Sequence, residues 1–263
     1  ILIIKMIKKI LITGIDGMLG NSLINDPRLK KYKVYKISRK NLDLTNSKKL
    51  LSYLKRIKPD LIINCAAKVG GIGANFLNNS NFLIENTKIN NSLIFSAYKA
   101  NIKKIINMGS SCMYPTNVKK PISENKISLA NLEKTNEGYA LAKIFAFKTC
   151  ELINKNKNFK YKTIVPCNIF GPKDNFNLKT GHMIPAAIKK IDFAMKNKKK
   201  FVEIWGSGKP RREFMYVQNL VDFIFVFIRK FNKMPNIINV GINKEFSIKK
   251  YYQLIGEKLN YKG

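Results

Sequence analysis

Histidine, cysteine and acidic side chains are scarce in this chain. Its 263 residues include one histidine and four cysteines, Cys65, Cys112, Cys150 and Cys167. No two of these cysteines have the Cys-x-x-Cys spacing of a zinc site or a redox motif. We therefore predict neither a metal site nor a disulfide framework, and we expect a reducing compartment, the cytoplasm.

Long apolar runs are missing as well, so no membrane-spanning helix and no membrane partner are predicted. The apolar segment from Ile1 to Leu11 is interrupted by Lys5, Lys8 and Lys9 and has no cleavage-site pattern. It is expected to form a first strand and not a signal peptide. Residues 1–5, which precede Met6, are expected to have no function of their own.

Negative charge is outweighed threefold, since 16 acidic residues oppose 49 basic ones and the formal net charge is +33. Such a charge is typical of proteins that bind nucleic acids. Only six of the basic residues are arginine, the side chain best suited to reading bases and phosphates, and the lysines are scattered along the chain. Compositional drift explains the charge better, so no nucleic-acid partner is predicted. The field would still attract an anionic nucleotide.

What the chain does contain is an alternation of apolar runs and helical stretches. The strand-like runs are 7–13, 33–38, 61–66, 104–109 and 162–166. This alternation predicts an α/β fold with a Rossmann-type, doubly wound parallel sheet. We expect a nucleotide-binding domain over 6–170 and a smaller substrate-binding region over 171–263, with some of its segments returning to the first domain.

A glycine loop follows the first apolar run. Gly14, Gly17 and Gly20 are spaced Gly-x-x-Gly-x-x-Gly between that strand and a helix. The first glycine permits a tight turn, the second lets the backbone approach a pyrophosphate, and the third allows close helix packing. Free amides at the helix start would bind the phosphate charge. The alternative is a plain turn, which the position directly after the first strand disfavours.

The second strand ends at Ser38-Arg39-Lys40, where an NAD enzyme commonly has an acidic residue against the ribose hydroxyls. Arg39, together with Ser38, suits a 2′-phosphate instead, so NADP is favoured over NAD. A solvated basic turn is the alternative. Asp43 lies where a loop could contact adenine, or it could cap the helix that begins near Asn46.

Tyr139 and Lys143 are four residues apart and share one face of a predicted helix. The ammonium of Lys143 is expected to lower the pKa of the Tyr139 phenol, which could then exchange protons with a sugar hydroxyl or ketone. Ser110, at the end of an apolar strand, could hydrogen-bond the same oxygen. Taken alone, the pair is equally compatible with an ordinary helix surface.

Cys112 and His182 are the remaining candidates for acid–base chemistry. Cys112 follows Ser110-Ser111, and His182 is the sole histidine and precedes a predicted helix. A thiol and an imidazole could form a proton-exchanging pair on either side of a substrate that Tyr139 holds. Taken singly, each is more often structural than catalytic.

From Gly14 to about Gly241 the chain resembles the extended short-chain dehydrogenase/reductases. Within them it is most similar to the bifunctional enzymes that convert GDP-4-keto-6-deoxy-D-mannose into GDP-L-fucose by NADPH-dependent 3,5-epimerisation and 4-reduction. The segments that carry this resemblance are 66–72, Gly109-Ser110-Ser111-Cys112-Met113-Tyr114-Pro115, Pro166-Cys167-Asn168-Ile169-Phe170-Gly171-Pro172, Asp174-Asn175-Phe176-Asn177, Trp205-Gly206-Ser207-Gly208 and Arg212-Glu213-Phe214.

The resemblance implies catalytic roles for five residues. Cys112 would remove the protons at C3 and C5, and His182 would return protons on the opposite face. Tyr139 and Ser110 would stabilise the oxygen at C4. Tyr139 would then supply the proton for reduction at C4, and Lys143 would hold the nicotinamide ribose.

The resemblance also implies the ligand contacts. Cofactor contacts are implied at Gly14, Gly17, Met18, Leu19, Gly20, Arg39, Asp43, Met108, Gly109, Ser110, Lys143, Pro166, Asn168, Ile169 and His182. GDP-sugar contacts are implied at Lys190, Trp205 and Arg212, and a homodimer through the helices around 81–100 and 137–155. Asp16 and Cys167 depart from the family pattern, and the chain ends at Gly263, before the family's usual end, so the substrate region is expected to be incomplete.

Two rival hypotheses stay open at this point. One is another NAD(P)-dependent sugar-nucleotide 4-epimerase or 4-reductase, in which Cys112 and His182 take no part. The other is a catalytically idle scaffold that binds NADP and uses its basic surface to hold polyanions. Deuterium exchange at C3 and C5 separates the first rival from the bifunctional enzyme, and salt-sensitive DNA binding without turnover would favour the second.

Overall fold

The computed structural model describes residues 6–118 and 121–263. The first five residues of the expected first strand therefore lie outside the described part of the chain. Among the described residues, strands and helices alternate through most of the chain, and several short 3₁₀ turns connect them. No helix among these residues is both long enough and apolar enough to cross a membrane.

The strands are β1 Lys9–Thr13, β2 Lys33–Ile37, β3 Leu61–Asn64, β4 Lys104–Met108, β5 Lys160–Pro166, β6 Asn168–Phe170, β7 Arg211–Tyr216, β8 Ile237–Val240 and β9 Glu245–Ser247. The helices are α1 Met18–Ile24, α2 Ser47–Ile57, α3 Ile72–Leu77, α4 Asn79–Lys99, α5 Glu137–Ile153, α6 Met183–Lys196, α7 Val217–Arg229 and α8 Ile248–Lys258.

Six strands form one parallel sheet in the order β2-β1-β3-β4-β5-β8. The chain runs outward from β1 in one direction to β2 and in the other direction to β3, β4 and β5. The order therefore reverses between β1 and β3. In open parallel sheets ligands bind outside the carboxyl ends of the strands at such a reversal. The topology alone predicts a ligand site beside the loop that follows β1.

Both faces of this sheet are covered, as its apolar strands require. Alternate residues of β1 separate into two cores: Ile10 and Ile12 pack with α1 and α7, whereas Leu11 packs with α2, α4 and α5. Most of these strand residues are fully buried. The α/β fold and the doubly wound parallel sheet predicted from the sequence are confirmed.

Three further strands form a separate small sheet in the order β6-β7-β9, in which β7 and β9 are antiparallel. The sequence analysis identified the first five strands of the chain, with ends that differ by a few residues, and missed the last four. β8 pairs with β5 and so extends the large sheet. The division into two domains at residue 170 stays a prediction.

Candidate active site

The glycine loop between β1 and α1 is tightly packed on its inner side. Gly14 has φ +68°, and a Cβ there would lie 2.7 Å from backbone atoms of Ala66 after β3. A Cβ on Gly20 would lie 2.2 Å from the carbonyl oxygen of Gly14, so only glycine lets the helix approach the strand this closely. A Cβ on Gly17 would meet only that same oxygen, at 3.5 Å. Gly17 therefore has an open side, where a ligand can approach the backbone.

At the end of β2 the side chain of Arg39 is exposed, whereas Ser38 is buried. The Ser38 hydroxyl accepts a long hydrogen bond, 3.4 Å, from the backbone N–H of Asn41. Asp43 accepts hydrogen bonds from the backbone and the hydroxyl of Thr45, each 2.9 Å long. These bonds, and to a smaller extent Arg39, lower the pKa of Asp43.

The alternative role considered for Asp43, capping the following helix, is wrong. The helix cap is Asn46, whose side chain accepts the backbone N–H of Lys49 at 3.0 Å. Asp43 stays in the loop with an exposed side chain, because its carboxylate already serves the turn at Thr45. The adenine contact expected of Asp43 stays a prediction.

The turn after β4 positions Ser110 and Cys112. A single 3₁₀ turn spans Ser111–Met113, and the Ser110 hydroxyl accepts the backbone N–H of Cys112 at 3.4 Å. A Cβ on Gly109 would come within 3.1 Å of Met113 and Thr163 and within 3.0 Å of Val165. This close packing at the carboxyl end of β4 holds the turn in place above the sheet.

Tyr139 and Lys143 lie on the first turns of α5, and the structure brings them to the same place. The buried ammonium of Lys143 donates a 2.7 Å hydrogen bond to the carbonyl oxygen of Met108, at the end of β4. It lies 5.5 Å from the centroid of the Tyr139 ring, a cation–π distance. A Cβ on Gly138 would lie 2.2 Å from the backbone oxygen of Asn79, so glycine permits the close crossing of α4 and α5.

The expectation that Lys143 lowers the pKa of Tyr139 is wrong for this structure. Burial raises the pKa of Tyr139 far above its ordinary value, and a thiolate at Cys112 would raise it further. The ammonium of Lys143 points to a backbone carbonyl and lies over the ring face. Burial lowers the pKa of Lys143 itself to about 8. The phenol therefore keeps its proton near neutral pH.

The thiol of Cys112 belongs to the same group of side chains. Burial raises the pKa of Cys112 to about 11, although its hydrogen bond with Ser110 and the nearby Lys143 lower it in part. Cys65, which follows β3, is a second thiol close enough to Lys143 for an electrostatic interaction. Burial raises the pKa of Cys65 to about 12. Ser110, Cys112, Tyr139 and Lys143 thus form one cluster, as the sequence predicted.

His182 lies on a different segment, the loop 171–182, and forms the N-cap residue of α6. Its polar neighbour is the buried carboxylate of Asp174, with 3.6 Å between His182 Nδ1 and Asp174 Oδ1. Thr180, in the same loop, accepts the backbone N–H of Gly71 at 2.8 Å. The backbone of Lys68 is bound by the side-chain amide of Asn86 in α4. Through these contacts α4 supports the loop that carries His182.

Two of the three predicted GDP-sugar residues lie together. The ammonium of Lys190 is 4.3 Å from the centroid of the Trp205 ring and donates a hydrogen bond to the backbone oxygen of Glu203. Trp205 is exposed over 64% of its surface, so its ring face is open to a ligand. The exposed Arg212 lies in β7, where the hydroxyl of Tyr251 donates a hydrogen bond to its carbonyl oxygen.

The other predicted cofactor contacts follow the carboxyl edge of the large sheet. They lie at the start of α1 (Met18, Leu19), at the end of β4 (Met108, Gly109), at the end of β5 (Pro166) and in β6 (Asn168, Ile169). All of these positions lie on the side of the sheet where the strand order predicts a ligand. Their roles stay predictions.

Sequence reasoning missed a row of buried polar side chains directly beneath this edge. Thr13, Asn64, Asn107 and Thr163 are register neighbours across β1, β3, β4 and β5. Asn64 accepts from Thr13 at 2.8 Å and donates to Asn107 at 3.0 Å and to Asn90 of α4 at 3.3 Å. The available signal in β1, β3 and β4 was a polar residue near the end of an apolar strand. The side-chain hydrogen bonds of the row link β1, β3 and β4, whereas the Thr163 hydroxyl of β5 makes none.

Comparison with known proteins places this geometry in a family. A profile of the NAD dependent epimerase/dehydratase family matches residues 10–241. The GDP-L-colitose synthase of Yersinia pseudotuberculosis is 48% identical over 256 residues, which are 97% of this chain and 83% of the relative. The GDP-L-fucose synthase of Azorhizobium caulinodans is 37% identical over 97% of this chain and 82% of the relative.

Among solved structures, a GDP-L-fucose synthetase from Naegleria fowleri bound to NADP superposes with a TM-score of 0.85 and 27% identity. The match covers 97% of this chain and 79% of that structure. These relatives confirm the resemblance inferred from the motifs. Because the family profile spans the glycine loop, the Ser110–Cys112 turn and the Tyr139–Lys143 helix, the chain belongs to the NAD dependent epimerase/dehydratase family.

Proposed function

We propose that this chain catalyses the NADPH-dependent 3,5-epimerisation and 4-reduction of GDP-4-keto-6-deoxy-D-mannose, which yields GDP-L-fucose. The observation that carries the proposal is the thiol of Cys112 beside the phenol of Tyr139, above the buried Lys143. A simple reductase needs the phenol and the lysine but has no use for a thiol. Relatives named GDP-L-fucose synthase, similar over 97% of the chain, support the same reaction.

The residues present fit NADPH, which supplies the hydride for C4 when it is bound. Gly17 leaves the loop open for a pyrophosphate, because a Cβ there would meet only one atom within 4 Å. Arg39 is exposed at the end of β2, where its guanidinium can hold a 2′-phosphate. The exposed Asp43 beside it has its carboxylate committed to Thr45, which leaves the guanidinium available.

In the epimerisation half, Cys112 takes the proton from C3 or C5, whose acidity comes from the neighbouring C4 ketone. In the folded protein the pKa of the Cys112 thiol is about 11, so the reactive thiolate is a minor form at neutral pH. The ammonium of Lys143 helps to stabilise this thiolate. The protonated phenol of Tyr139 and the hydroxyl of Ser110 hydrogen-bond the C4 oxygen as it gains negative charge. His182 returns a proton on the opposite face of the ring.

In the reduction half, the same phenol supplies the proton to the C4 oxygen as C4 is reduced. The raised pKa of Tyr139 suits this step, because the phenol carries its proton until the oxygen becomes basic. Lys143 holds the cofactor ribose and lies beside the Tyr139 ring, so its positive charge stabilises the phenolate that forms. One oxygen-binding group thus serves both halves of the reaction.

The test is to incubate the protein with NADPH and GDP-4-keto-6-deoxy-D-mannose in deuterated water. Oxidation of NADPH with deuterium at both C3 and C5 is the expected result. Oxidation without exchange at either carbon would leave a 4-reductase and overturn the epimerase half. The variant Cys112→Ala should keep its fold and lose exchange at both carbons, because the proton-accepting group is gone.

A second candidate reaction uses a substrate that differs from the first only at C3. It is favoured by the 48% identity to a GDP-L-colitose synthase. Colitose is a 3,6-dideoxyhexose, so a substrate for its formation has no stereocentre at C3 to invert. The same residues would then epimerise C5 and reduce C4. The ratio of kcat/KM for the 3-hydroxy and 3-deoxy forms of the GDP-4-keto sugar decides between the two candidates.

We also propose that two copies of the chain associate through α4 and α5. The sequence predicts apolar stripes on these helices, Phe82, Ile89, Leu93 and Phe95 on α4 and Ala140, Ile144, Phe147 and Leu152 on α5. Most of these side chains are buried and face inward, but Phe95 and Leu152 are about half exposed. Together with Ile84 on α4 and Phe145 on α5, which are exposed to a similar extent, they form an outward stripe.

Two residues of this outward stripe, Ile84 and Phe145, line an apolar groove of about 570 Å³ between the two helices. Positions 84 and 95, like 145 and 152, repeat at the spacing of one helix face, as a helix pair in a dimer requires. Light scattering should show a dimer that Phe145→Glu converts to monomer. Phe201→Glu changes a more exposed phenylalanine outside α4 and α5 and should leave the dimer intact.

The remaining assignments complete the proposal. Lys190, Trp205 and Arg212 contact the GDP-sugar, with the guanidinium of Arg212 on the diphosphate. Residues 6–170 form the cofactor domain together with α7 and β8, which return to the large sheet, and the other later segments form the substrate region. The four cysteines are free thiols, which supports a reducing compartment, the cytoplasm.

A further inference from the structure

The loop that carries His182 begins at Asp174, and its two ends meet. Asp174 and His182 are eight positions apart, yet Oδ1 of the carboxylate lies 3.6 Å from Nδ1 of the imidazole. The carboxylate is 6% exposed, whereas the imidazole side chain is 39% exposed. One end of the histidine therefore faces a buried acid while the remainder of its ring is accessible from outside.

Both facing groups have a polar atom without a partner. Nδ1 of His182 and Oδ2 of Asp174 are buried and make no hydrogen bond. A buried polar atom without a partner is unfavourable, so such atoms rarely stay unpaired. The two orphans are complementary, because a protonated Nδ1 is a donor and a carboxylate oxygen is an acceptor. They belong to side chains that already approach within 3.6 Å of each other.

The loop between them is built to hold this arrangement. Oδ1 of Asp174 accepts the backbone N–H of Asn175 at 2.7 Å. Asn175 donates from its side chain to the hydroxyl of Thr180, and the side-chain oxygen of Asn177 accepts the backbone N–H groups of Lys179 and Thr180. These bonds close the loop on itself, so Asp174 and His182 keep their separation.

Glycine is required at the point where the loop crosses itself. A Cβ on Gly181 would lie 2.1 Å from the carbonyl oxygen of Asn175, and a Cβ on Gly71 would lie 2.0 Å from the carbonyl oxygen of Gly181. Both contacts are far below any tolerated separation. The residue directly before His182 is thus fixed by the loop on one side and by the segment after β3 on the other.

We infer that Asp174 is a positioning residue that accepts a hydrogen bond from the Nδ1–H group of His182 and so leaves Nε2 as the nitrogen that meets the substrate. The inference rests on the proposed function, since it assigns a role within that acid–base chemistry. The protonated imidazole gives its Nε2 proton to the carbon of the sugar ring, which forms the new C–H bond. The neutral imidazole that remains keeps its Nδ1 proton, which is hydrogen-bonded to Asp174. Water then restores the proton at Nε2, and Asp174 stays a carboxylate throughout.

A spectroscopic test needs no substrate, because His182 is the sole histidine of the chain. In protein labelled with ¹⁵N-histidine, the ring nitrogen shifts of the neutral imidazole report its tautomer directly. The expected result for the unaltered protein is protonation at Nδ1. Protonation at Nε2 in that spectrum would overturn the inference without any variant.

The variant Asp174→Asn sharpens the spectroscopic test. The carboxamide oxygen can still accept from Asn175 in the place of Oδ1, which puts the amide nitrogen, a donor, in the place of the unpartnered Oδ2. The tautomer should then switch to Nε2–H. Asp192→Asn, which alters an exposed carboxylate on α6 that is paired with Lys196, is the matched control and should leave the spectrum unchanged. An unchanged spectrum in Asp174→Asn would contradict the inferred contact.

Kinetics supply the second readout. Asp174→Asn should lower deuterium exchange at C3 and C5 between about 10-fold and 10⁴-fold, a range bounded by what a general acid contributes. Asp174→Glu should recover part of the loss. Exchange at the normal rate in Asp174→Asn would overturn the positioning role. If the unaltered protein shows no exchange, the proposed function fails, and the tautomer still decides whether Asp174 orients His182.

Discussion

Two buried lysines of this protein share the same burial, the same kind of hydrogen-bond acceptor and a similar distance to an aromatic ring, but their ionisable neighbours differ. Lys143 on α5 and Lys162 on β5 are 2% and 3% exposed. Each donates to backbone carbonyl oxygens, Lys143 to Met108 and Lys162 to Phe231 and Met234. Each ammonium lies 5.0–5.5 Å from an aromatic centroid, and burial lowers the pKa of each to about 8.

The difference lies in the groups around them. Lys143 interacts with Cys112 and Cys65, two thiols that can become anions, and it lies over the Tyr139 ring. Lys162 has another lysine, Lys160, as its ionisable neighbour, and its hydrogen bonds end the turn that follows α7. A buried lysine with a lowered pKa is therefore not by itself a catalytic signal. Neighbours that can exchange protons make Lys143, and not Lys162, a candidate functional residue.

The largest effect is expected from removing the charge of the first lysine. Lys143→Met should lower NADPH oxidation with the 4-keto substrate by about 10²-fold to 10⁴-fold, because Tyr139 loses the cation that stabilises its phenolate. Lys162→Met is the matched variant and should keep normal turnover. Steady-state kinetics of both purified variants provide the measurement, and equal losses would remove the distinction between the two sites.

The second prediction concerns the thiol beside Lys143. Because the pKa of Cys112 is about 11, its thiolate fraction rises about tenfold per pH unit below that value. Deuterium exchange at C5 should therefore increase about 100-fold between pH 5.5 and pH 7.5, while Lys143 keeps most of its charge. The rate is followed by NMR of the substrate. A flat profile over this interval would mean that thiolate formation does not limit the exchange.

The third prediction addresses Lys162. Lys162→Met leaves the carbonyl oxygens of Phe231 and Met234 without their donor, which should lower the free energy of unfolding by about 1–3 kcal/mol. Urea unfolding followed by circular dichroism measures this change. A variant as stable as the unaltered protein would show that the cost of burying the charge equals the worth of its hydrogen bonds.

The smallest effect is a pH dependence of stability that both lysines share. Below pH 8 the folded and unfolded states both carry the protons, and the folded state bears the full cost of burying the charges. Between pH 8 and pH 9 the folded lysines lose protons that the unfolded chain retains, so the free energy of unfolding should rise with pH, by about 1 kcal/mol for each lysine.

The buried thiols oppose this rise from about pH 8.5 upward, near the ordinary pKa of a thiol, since burial raises the pKa of Cys65, Cys112, Cys150 and Cys167 and the unfolded chain loses these protons first. The measurement is therefore urea unfolding of the unaltered protein and of each Lys→Met variant at pH 7.5 and pH 9. Between these two pH values the free energy of unfolding should change by about 1 kcal/mol less favourably in each variant than in the unaltered protein. The same change in all three proteins would assign the pH dependence to other groups.

Much of the large sheet could be predicted from the sequence because its strands are local apolar runs. β1, β3 and β4 are short, nearly continuous apolar segments bounded by glycine, proline or polar residues, and their composition alone specifies a buried parallel strand. β6 and β9 span three residues each, too few for a periodic pattern. Their pairing with β7 depends on long-range contacts, which local propensity does not encode.

The site divides in the same way. The spacing of Tyr139 and Lys143 on one helix turn is a property of the sequence, and so is the glycine loop. The pKa of Tyr139 was predicted in the wrong direction, because spacing on a helix does not reveal burial. The contact of Asp174 with His182 was missed, because their separation of eight residues matches no helix or strand period and arises only when the loop closes.

The sequence by itself determined the first five strands and the alternation of strand and helix, the glycines that permit close backbone approach, and which side chains can exchange protons. These are local properties of residue type and spacing. The tertiary structure decided which of those side chains are buried, which share a site, and which of two equivalent lysines lies beside a thiol and a phenol. Burial and proximity depend on segments far apart in the chain, and they set the electrostatic environment that gives each group its chemistry.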